Sequence, residues 1–320
     1  MSKIKQITNT VLMVRPFDFC FNEETALDNE FQNRPTDSQD EINRKALNEF
    51  ENMVLTLRKE NVNVLVLEQG TNLAKMPDAV FPNNWISTEH DGTIVTFPMA
   101  TPNRRAEKLR LQDAENLFME NQYLVKNIIN VGPLREQSLF LEGTGSMIID
   151  HPNKIVYMAE SIRSNPLQLN NFLHLRNYSQ SVIFQAASSG GKPIYHTNVI
   201  MSIGEKFAVI CNDCIISKND KDKLLTILGK THEIIEISIE QMENYFCGNI
   251  LQLSSNDGNP LIIMSDSALT GFNKFQIEKL EKHGKIISVN IDTIEKVGGG
   301  SARCMMAEVF LPKKLSLTLS

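Results

Sequence analysis

The chain has 320 residues, 42% of them hydrophobic and 22% charged, ordinary globular values that argue against disorder over most of its length. A formal net charge of −6 argues against a nucleic-acid or anionic-membrane partner, and no apolar stretch approaches the ~18 residues that cross a bilayer. Five cysteines, an odd and sparse set, suit free thiols in a reducing compartment; with no secretory leader in "MSKIKQITNTVLMVRP", a cytoplasmic location is expected.

Taken in chain order, "TVLMVRP" (10–16) and "VNVLVLE" (62–68) read as strands on either side of an amphipathic helix over 40–61. "TIVTFP" (93–98) precedes a second helical stretch over 104–121. Six further β-like runs follow: "SMIID", "KIVYMAE", "SVIFQA", "NVIMSIG", "FAVICND" and "CIIS". The spacing then predicts a helix over 219–231, a strand at "LIIMSD", a helix over 270–284 and a strand at "KIISVNI". In each predicted helix apolar residues return every three or four positions, as one buried face requires. The result is a mixed α/β chain of many short strands. No linker or low-complexity block divides it, so one domain over 1–320 is expected, with room for strand-rich modules of roughly 60 residues.

Four stretches carry unusual chemistry. "GGGSARC" delivers Cys304 behind three glycines, where only φ > 0 or a close approach justifies the entropy. "MPDAVFPNNWISTEHDG" gathers Asp78, Asn83, Asn84 and His90 around the sole tryptophan, although Pro-Asn-Asn is also plain turn chemistry. Glu142 ends an apolar run in "FLEGTG", and His196 opens one in "YHTNVIM". A thiolate nucleophile needs a positive or basic neighbour and an acid for its leaving group, so Cys304, His196 and a carboxylate form a coherent set. Other constellations fail. "SSGGKP" lacks the earlier glycine and the Ser/Thr of a phosphate loop, and "EGTGSM" lacks the third glycine of a dinucleotide fingerprint. No G-x-S-x-G elbow is present, and Cys211 and Cys214 in "CNDC" have no second ligand pair at zinc-site distance, so two buried thiols are expected there.

These stretches, in this order, resemble the guanidine-modifying enzymes of the pentein superfamily: arginine deiminases, dimethylarginine hydrolases and amidinotransferases. The resemblance runs over about residues 11–311 and implies an α/β propeller of five ββαβ modules with pseudo-fivefold symmetry. It makes Cys304 the nucleophile and His196 the acid–base, with the catalytic carboxylate Glu142 orienting the substrate's ureido group. It also assigns Asp78, Asn84 and Asn198 to the substrate, with Arg104 or Arg105 and Arg163 on its α-carboxylate. "MVRPFDFCFNEET", "DAVFPNNW", "LEGTGSM", "YHTNV" and "GGGSARCM" look closest to the citrulline-utilization hydrolases, which cleave citrulline to ornithine, carbon dioxide and ammonia. Arginine-using members hold a guanidinium with two carboxylates. Asn84 at one of these positions, offering both donor and acceptor, suits a neutral ureido group instead. The primary expectation is therefore a citrulline hydrolase working through an S-carbamoyl intermediate. An arginine deiminase, dihydrolase or dimethylarginine hydrolase is the alternative, with an amidinotransferase behind it. No cofactor or metal is expected in the reaction, the partner is a small amino-acid substrate, and a homo-oligomer is a family-level expectation.

Overall fold

Ser38 caps the first long helix, Gln39–Lys59, by accepting from Glu41 N–H, and Asp40 and Glu41 sit where the helix dipole favours acid. Ile42, Ala46, Phe50, Met53, Val54 and Leu57 form its buried stripe, which lies against a small sheet. This arrangement recurs around the molecule. The computed structural model describes residues 4–68, 70, 75–132 and 139–314, and these hold five three-stranded sheets.

Strands β1 (Thr10–Val14) and β2 (Asn63–Leu67) run parallel on either side of that helix. The second sheet contains β3 (Ile86–Thr88), β4 (Thr93–Thr96) and β5 (Asn127–Asn130). The third contains β6 (Ile148–Asp150), β7 (Ile155–Ala159) and β8 (Gln180–Phe184). The fourth contains β9 (Met201–Ile203), β10 (Phe207–Ile210) and β11 (Glu233–Glu236). The fifth contains β12 (Leu251–Ser254), β13 (Pro260–Ser265) and β14 (Lys285–Val289). In each of these four the first two strands pair antiparallel and the last two parallel, with helix between the parallel pair. A parallel pair needs such a crossover, and its helix covers the sheet. This is the expected ββαβ module.

The first module is not contiguous. Its antiparallel strand is β15 (Ala307–Glu308), which registers Leu12 against Ala307 and Val11 against Glu308. The chain thus closes its own ring, with the two ends sharing one sheet.

Several local expectations change. Asn198, Val199 and Ile200, read as strand in "NVIMSIG", belong to the helical turn Thr197–Ile200 before β9. "CIIS" is no strand: Cys214 ends the 3₁₀ turn Asn212–Cys214 and donates its thiol to Cys211 O at 3.0 Å. Both cysteines are buried and free. The helix expected over 270–284 is two, Asp266–Gly271 and Lys274–Glu281, because Asn273 starts a second capping box with Gln276. The sequence reading missed the helix Pro166–Arg176, whose buried Gln168, Leu169 and Phe172 sit beside an exposed Leu167 and give no clean period.

Candidate active site

Each module sends a short turn inward just before its first strand. Pro82–Asn84 precedes β3, Gly143–Ser146 precedes β6, Thr197–Ile200 precedes β9, the turn ending at Asn249 precedes β12, and Ser301–Cys304 precedes β15. Repetition of one module around the ring therefore brings Asn84, Glu142, His196, Asn198, Asn249 and Cys304 toward a common centre. There, Asp78, Phe81, Asn84, Arg104, Arg163, Tyr195, His196, Gly298, Gly299, Gly300 and Cys304 line one pocket of about 260 Å³, mouth included.

The nucleophile candidate is held by amides. Asn198 Nδ2 donates to Cys304 Sγ at 3.3 Å and Asn249 Nδ2 at 3.2 Å, and Asn249 also donates to Asn198 O at 2.9 Å. Two amide N–H groups therefore meet the sulfur. The side-chain oxygens of both asparagines are buried and unpartnered. Asn249 was missed in the sequence. The signal for it is positional: "CGNILQ" stands before β12 as "YHTNVIM" stands before β9.

Behind the sulfur, Gly299 caps the helix Asp292–Gly298 at φ +66°, where a Cβ would meet Asn29 at 2.6 Å. Ser301 Oγ bonds Glu295 Oε1, and Cys304 N–H returns to Ser301 O at 2.9 Å, so the nucleophile's turn is fixed from within.

His196 Nε2 lies 2.8 Å from Glu142 Oε2, and Glu142 Oε1 accepts from Ala100 N–H at 2.8 Å. Burial pushes the Glu142 carboxyl up, but the Arg163 charge 3.7 Å away, the His196 contact and Arg104 outweigh it and hold it down at about 2. Burial is the main cause that lowers His196, opposed by Glu142 and reinforced by Arg163 and Arg104. The resting pair is accordingly a carboxylate and a neutral imidazole donating through Nε2. Gly145 permits this packing. A Cβ there would stand 2.3 Å from Asn84 Nδ2 and 2.8 Å from the His196 ring.

Both pocket arginines are already paired. Arg163 bonds Asp28 through Nε at 2.7 Å and again through Nη2, and its guanidinium stacks 4.9 Å over Tyr195. Arg104 makes a two-point pair with Glu107 at 2.8 and 3.0 Å, and its Nη1 donates to Asn84 Oδ1 at 2.7 Å. Neither presents a free fork for an α-carboxylate. Arg105 is not in the pocket lining; it bonds the Met99 and Ala100 carbonyls at 3.1 and 2.8 Å. Asn84 is equally committed, since Nδ2 donates to Asn83 Oδ1 at 3.1 Å. Its amide is therefore not the free donor–acceptor pair anticipated for a ureido group. Asp78 is different: Oδ2 accepts from Asn22 and Thr25 at 2.7 and 3.2 Å, while Oδ1 is buried with no partner.

The family model described as N,N-dimethylarginine dimethylhydrolase, eukaryotic, matches residues 15–311. A comparison with curated proteins finds no match. Among solved structures, the substrate-bound N-terminal domain of ArgZ, an arginine dihydrolase from the ornithine–ammonia cycle in cyanobacteria, aligns at 18% identity and a TM-score of 0.69, covering 94% of this chain and 97% of that one. Whole apo ArgZ aligns at 17% and 0.69, but only 41% of its length is covered. A dimethylarginine dimethylaminohydrolase carrying an S-methyl-L-thiocitrulline adduct aligns at 14% and 0.65, with 95% of this chain and 100% of that one covered. The five ββαβ modules and the family match agree: the chain belongs to the N,N-dimethylarginine dimethylhydrolase family of the pentein guanidine-modifying superfamily.

Proposed function

We propose that this protein is a cysteine hydrolase acting on the guanidinium of arginine or an N-methylated arginine. The observation that carries the reading is charge. Around the pocket two guanidiniums, Arg104 and Arg163, face the carboxyl groups of Asp28, Asp78, Glu107 and Glu142, of which burial pushes Glu107 up to about 7. Both arginines are spent on their own partners, leaving Asp78 Oδ1 buried and open. Burial, against Arg104 and its hydrogen bonds, pushes the Asp78 carboxyl up, a shift that the positive charge of a cationic substrate would oppose. A neutral ureido group brings none. This favours a guanidinium over citrulline, as do the arginine-directed names of the family model and the structural neighbours.

In this reading the Cys304 thiol gives its proton to His196 as its sulfur attacks the guanidino carbon, while Asp78 holds the substrate N–H groups. His196 delivers a proton to the departing ammonia or methylamine as the C–N bond breaks, leaving a carbon bound to sulfur. Water, deprotonated by His196, then adds to that carbon and the C–S bond breaks, returning the thiolate and releasing a ureido product. Glu142 holds the imidazole and stabilises it when protonated. The asparagine donors steady the sulfur anion as it forms and when the C–S bond breaks. The whole chain acts as one catalytic unit, because the site takes residues from turns ahead of five strands. A cytoplasmic setting agrees with the five free cysteines, and no helix among the described residues is long and apolar enough to cross a membrane.

The test is a substrate panel on the purified chain: arginine, mono- and dimethylated arginines, and citrulline, with amine and amino-acid products identified. Turnover of a guanidinium substrate, abolished in Cys304→Ser, is expected. Ornithine from citrulline with every guanidinium inert overturns the proposal and restores the ureido reading.

A further inference from the structure

Behind the two turns that carry Glu142 and Cys304 lies a second polar site that the reaction does not use. Glu89 and His90 follow β3 in its hairpin to β4, and His151 follows β6 in the neighbouring module. One ligand atom from each of the three lies within 4.8 Å of the other two. Glu89 and His151 are each only 7% exposed.

Three observations mark this as a site and not a chance cluster. First, Glu89 Oε1 and His90 Nε2 are buried and have no hydrogen-bond partner, a costly state for two polar atoms so close together. Second, the ring positions are fixed from outside. Tyr178 OH bonds His151 Nδ1 at 3.0 Å, which leaves Nε2 for another partner, and Phe310 packs against His90 and His151 at centroid distances of 4.5 and 4.7 Å. Such outer contacts orient imidazoles at metal centres. Third, a cavity opens beside them, lined by Ser87, Glu89, Thr144, His151 and Glu308. Arg176 keeps its Nε 4.0 Å from Glu89 Oε1 and gives Nη2 to Asp91 at 2.7 Å, Tyr178 also bonds Glu89, and the Arg303 charge reaches His151.

We propose that Glu89, His90 and His151 bind one divalent transition-metal ion, with the cavity supplying the fourth position to water. Two imidazoles and one carboxylate form a donor set that suits zinc. Closing the three ligands around it takes a contraction of up to about 1.4 Å from the 4.8 Å within which they lie, since tetrahedral ligands at ~2.0–2.2 Å sit nearer one another. Thr144 and Arg303, which line the adjoining space, belong to the turns bearing Glu142 and Cys304, so the ion braces the active site from behind without meeting substrate.

The experiment uses the full chain with Cys304→Ser, which removes the active-site thiolate as a rival ligand. Co²⁺ and Zn²⁺ alone are titrated under equilibrium dialysis, with the Co²⁺ visible spectrum and the thermal melt recorded. One ion per chain, a tetrahedral-type spectrum without thiolate charge transfer and a raised Tm are expected. Glu89→Gln, of equal size, should weaken binding by at least about tenfold while the metal-free melt stays near that of the parent, and His90→Ala should do the same. Thiolate bands pointing to Cys211 and Cys214, no binding in the Cys304→Ser chain, or unchanged affinity in both variants would each overturn the proposal.

Discussion

Tyr195 OH donates to Gly299 O at 2.5 Å, joining the residue before the candidate acid–base to the glycine loop that leads to the candidate nucleophile. The two segments are about a hundred residues apart in sequence, and this contact sets one against the other. Its ring also lies under Arg163 and 4.7 Å from the His196 centroid. Tyr195→Phe keeps the ring and deletes the bond. Stability should fall by about 1 kcal/mol, whereas kcat should fall roughly tenfold or more, because misplacement of reacting groups costs more than the bond itself. Denaturant unfolding beside steady-state rates reads both; equal small losses in each would make the tyrosine merely structural.

Asn249 gives a second expectation. Asn249→Asp places a carboxylate where an amide N–H now meets Cys304 Sγ, and like charge disfavours the thiolate. Alkylation of Cys304 by iodoacetamide at fixed pH should slow by roughly tenfold, the effect of about 1.4 kcal/mol. Asn249→Leu, which removes the donor without adding charge, should slow it less.

Asp78→Asn addresses substrate charge. The open Oδ1 is the acceptor expected to meet a guanidinium, so kcat/KM for arginine-type substrates should drop by ~10–100-fold, the scale of a charge-assisted hydrogen bond of ~1.5–3 kcal/mol. Competitive inhibition by citrulline, whose ureido group is neutral, should change much less on the same variant if the distal charge is what Asp78 reads.

Glu142 predicts a pH dependence of stability. Its folded value, about 2, lies below the ordinary carboxyl value of 4.5, so the unfolded chain takes up its proton first on acidification. Its contribution is complete above about pH 4.5 and is lost as pH falls toward about 2, a change on the order of 3 kcal/mol. Glu142→Gln should remove that slope from the acid limb of a stability–pH curve and, by loosening His196, lower kcat as well. An unchanged acid limb would contradict the assigned ion pair with Arg163.

Gly145→Ala tests the close packing of the centre. The added methyl would stand well inside contact distance of Asn84 and the His196 ring, so one of them must shift. A folded protein with kcat reduced by about 10²-fold is expected from circular dichroism and rate measurements together.

What could be read from the sequence follows physical visibility. Cys304, Glu142 and His196 stand beside glycines or at the heads of apolar runs, and local chemistry marks them. Asn249 carries no such mark, because a lone asparagine in "CGNIL" looks like any turn until the ring places it beside the sulfur. The arginines show the same limit. Arg104 and Arg163 were legible as site residues, but their partners Glu107 and Asp28 were not, and those partners decide that neither cation is free. Strands of two to four residues, such as β3, β11 and β15, are too short for period-2 alternation to appear. The five-module plan could be expected only through the resemblance, since the modules share shape without sharing letters.

The ring closure has a consequence for synthesis. The first sheet is completed by residues 307 and 308, and the candidate nucleophile sits just three positions before them. A growing chain can build four modules while the fifth gap stays open, with the histidine, the carboxylate and the asparagines already made and the sulfur not yet translated. Cys304 and the strand that follows it are made together, so the ring and the candidate site are completed in the same step.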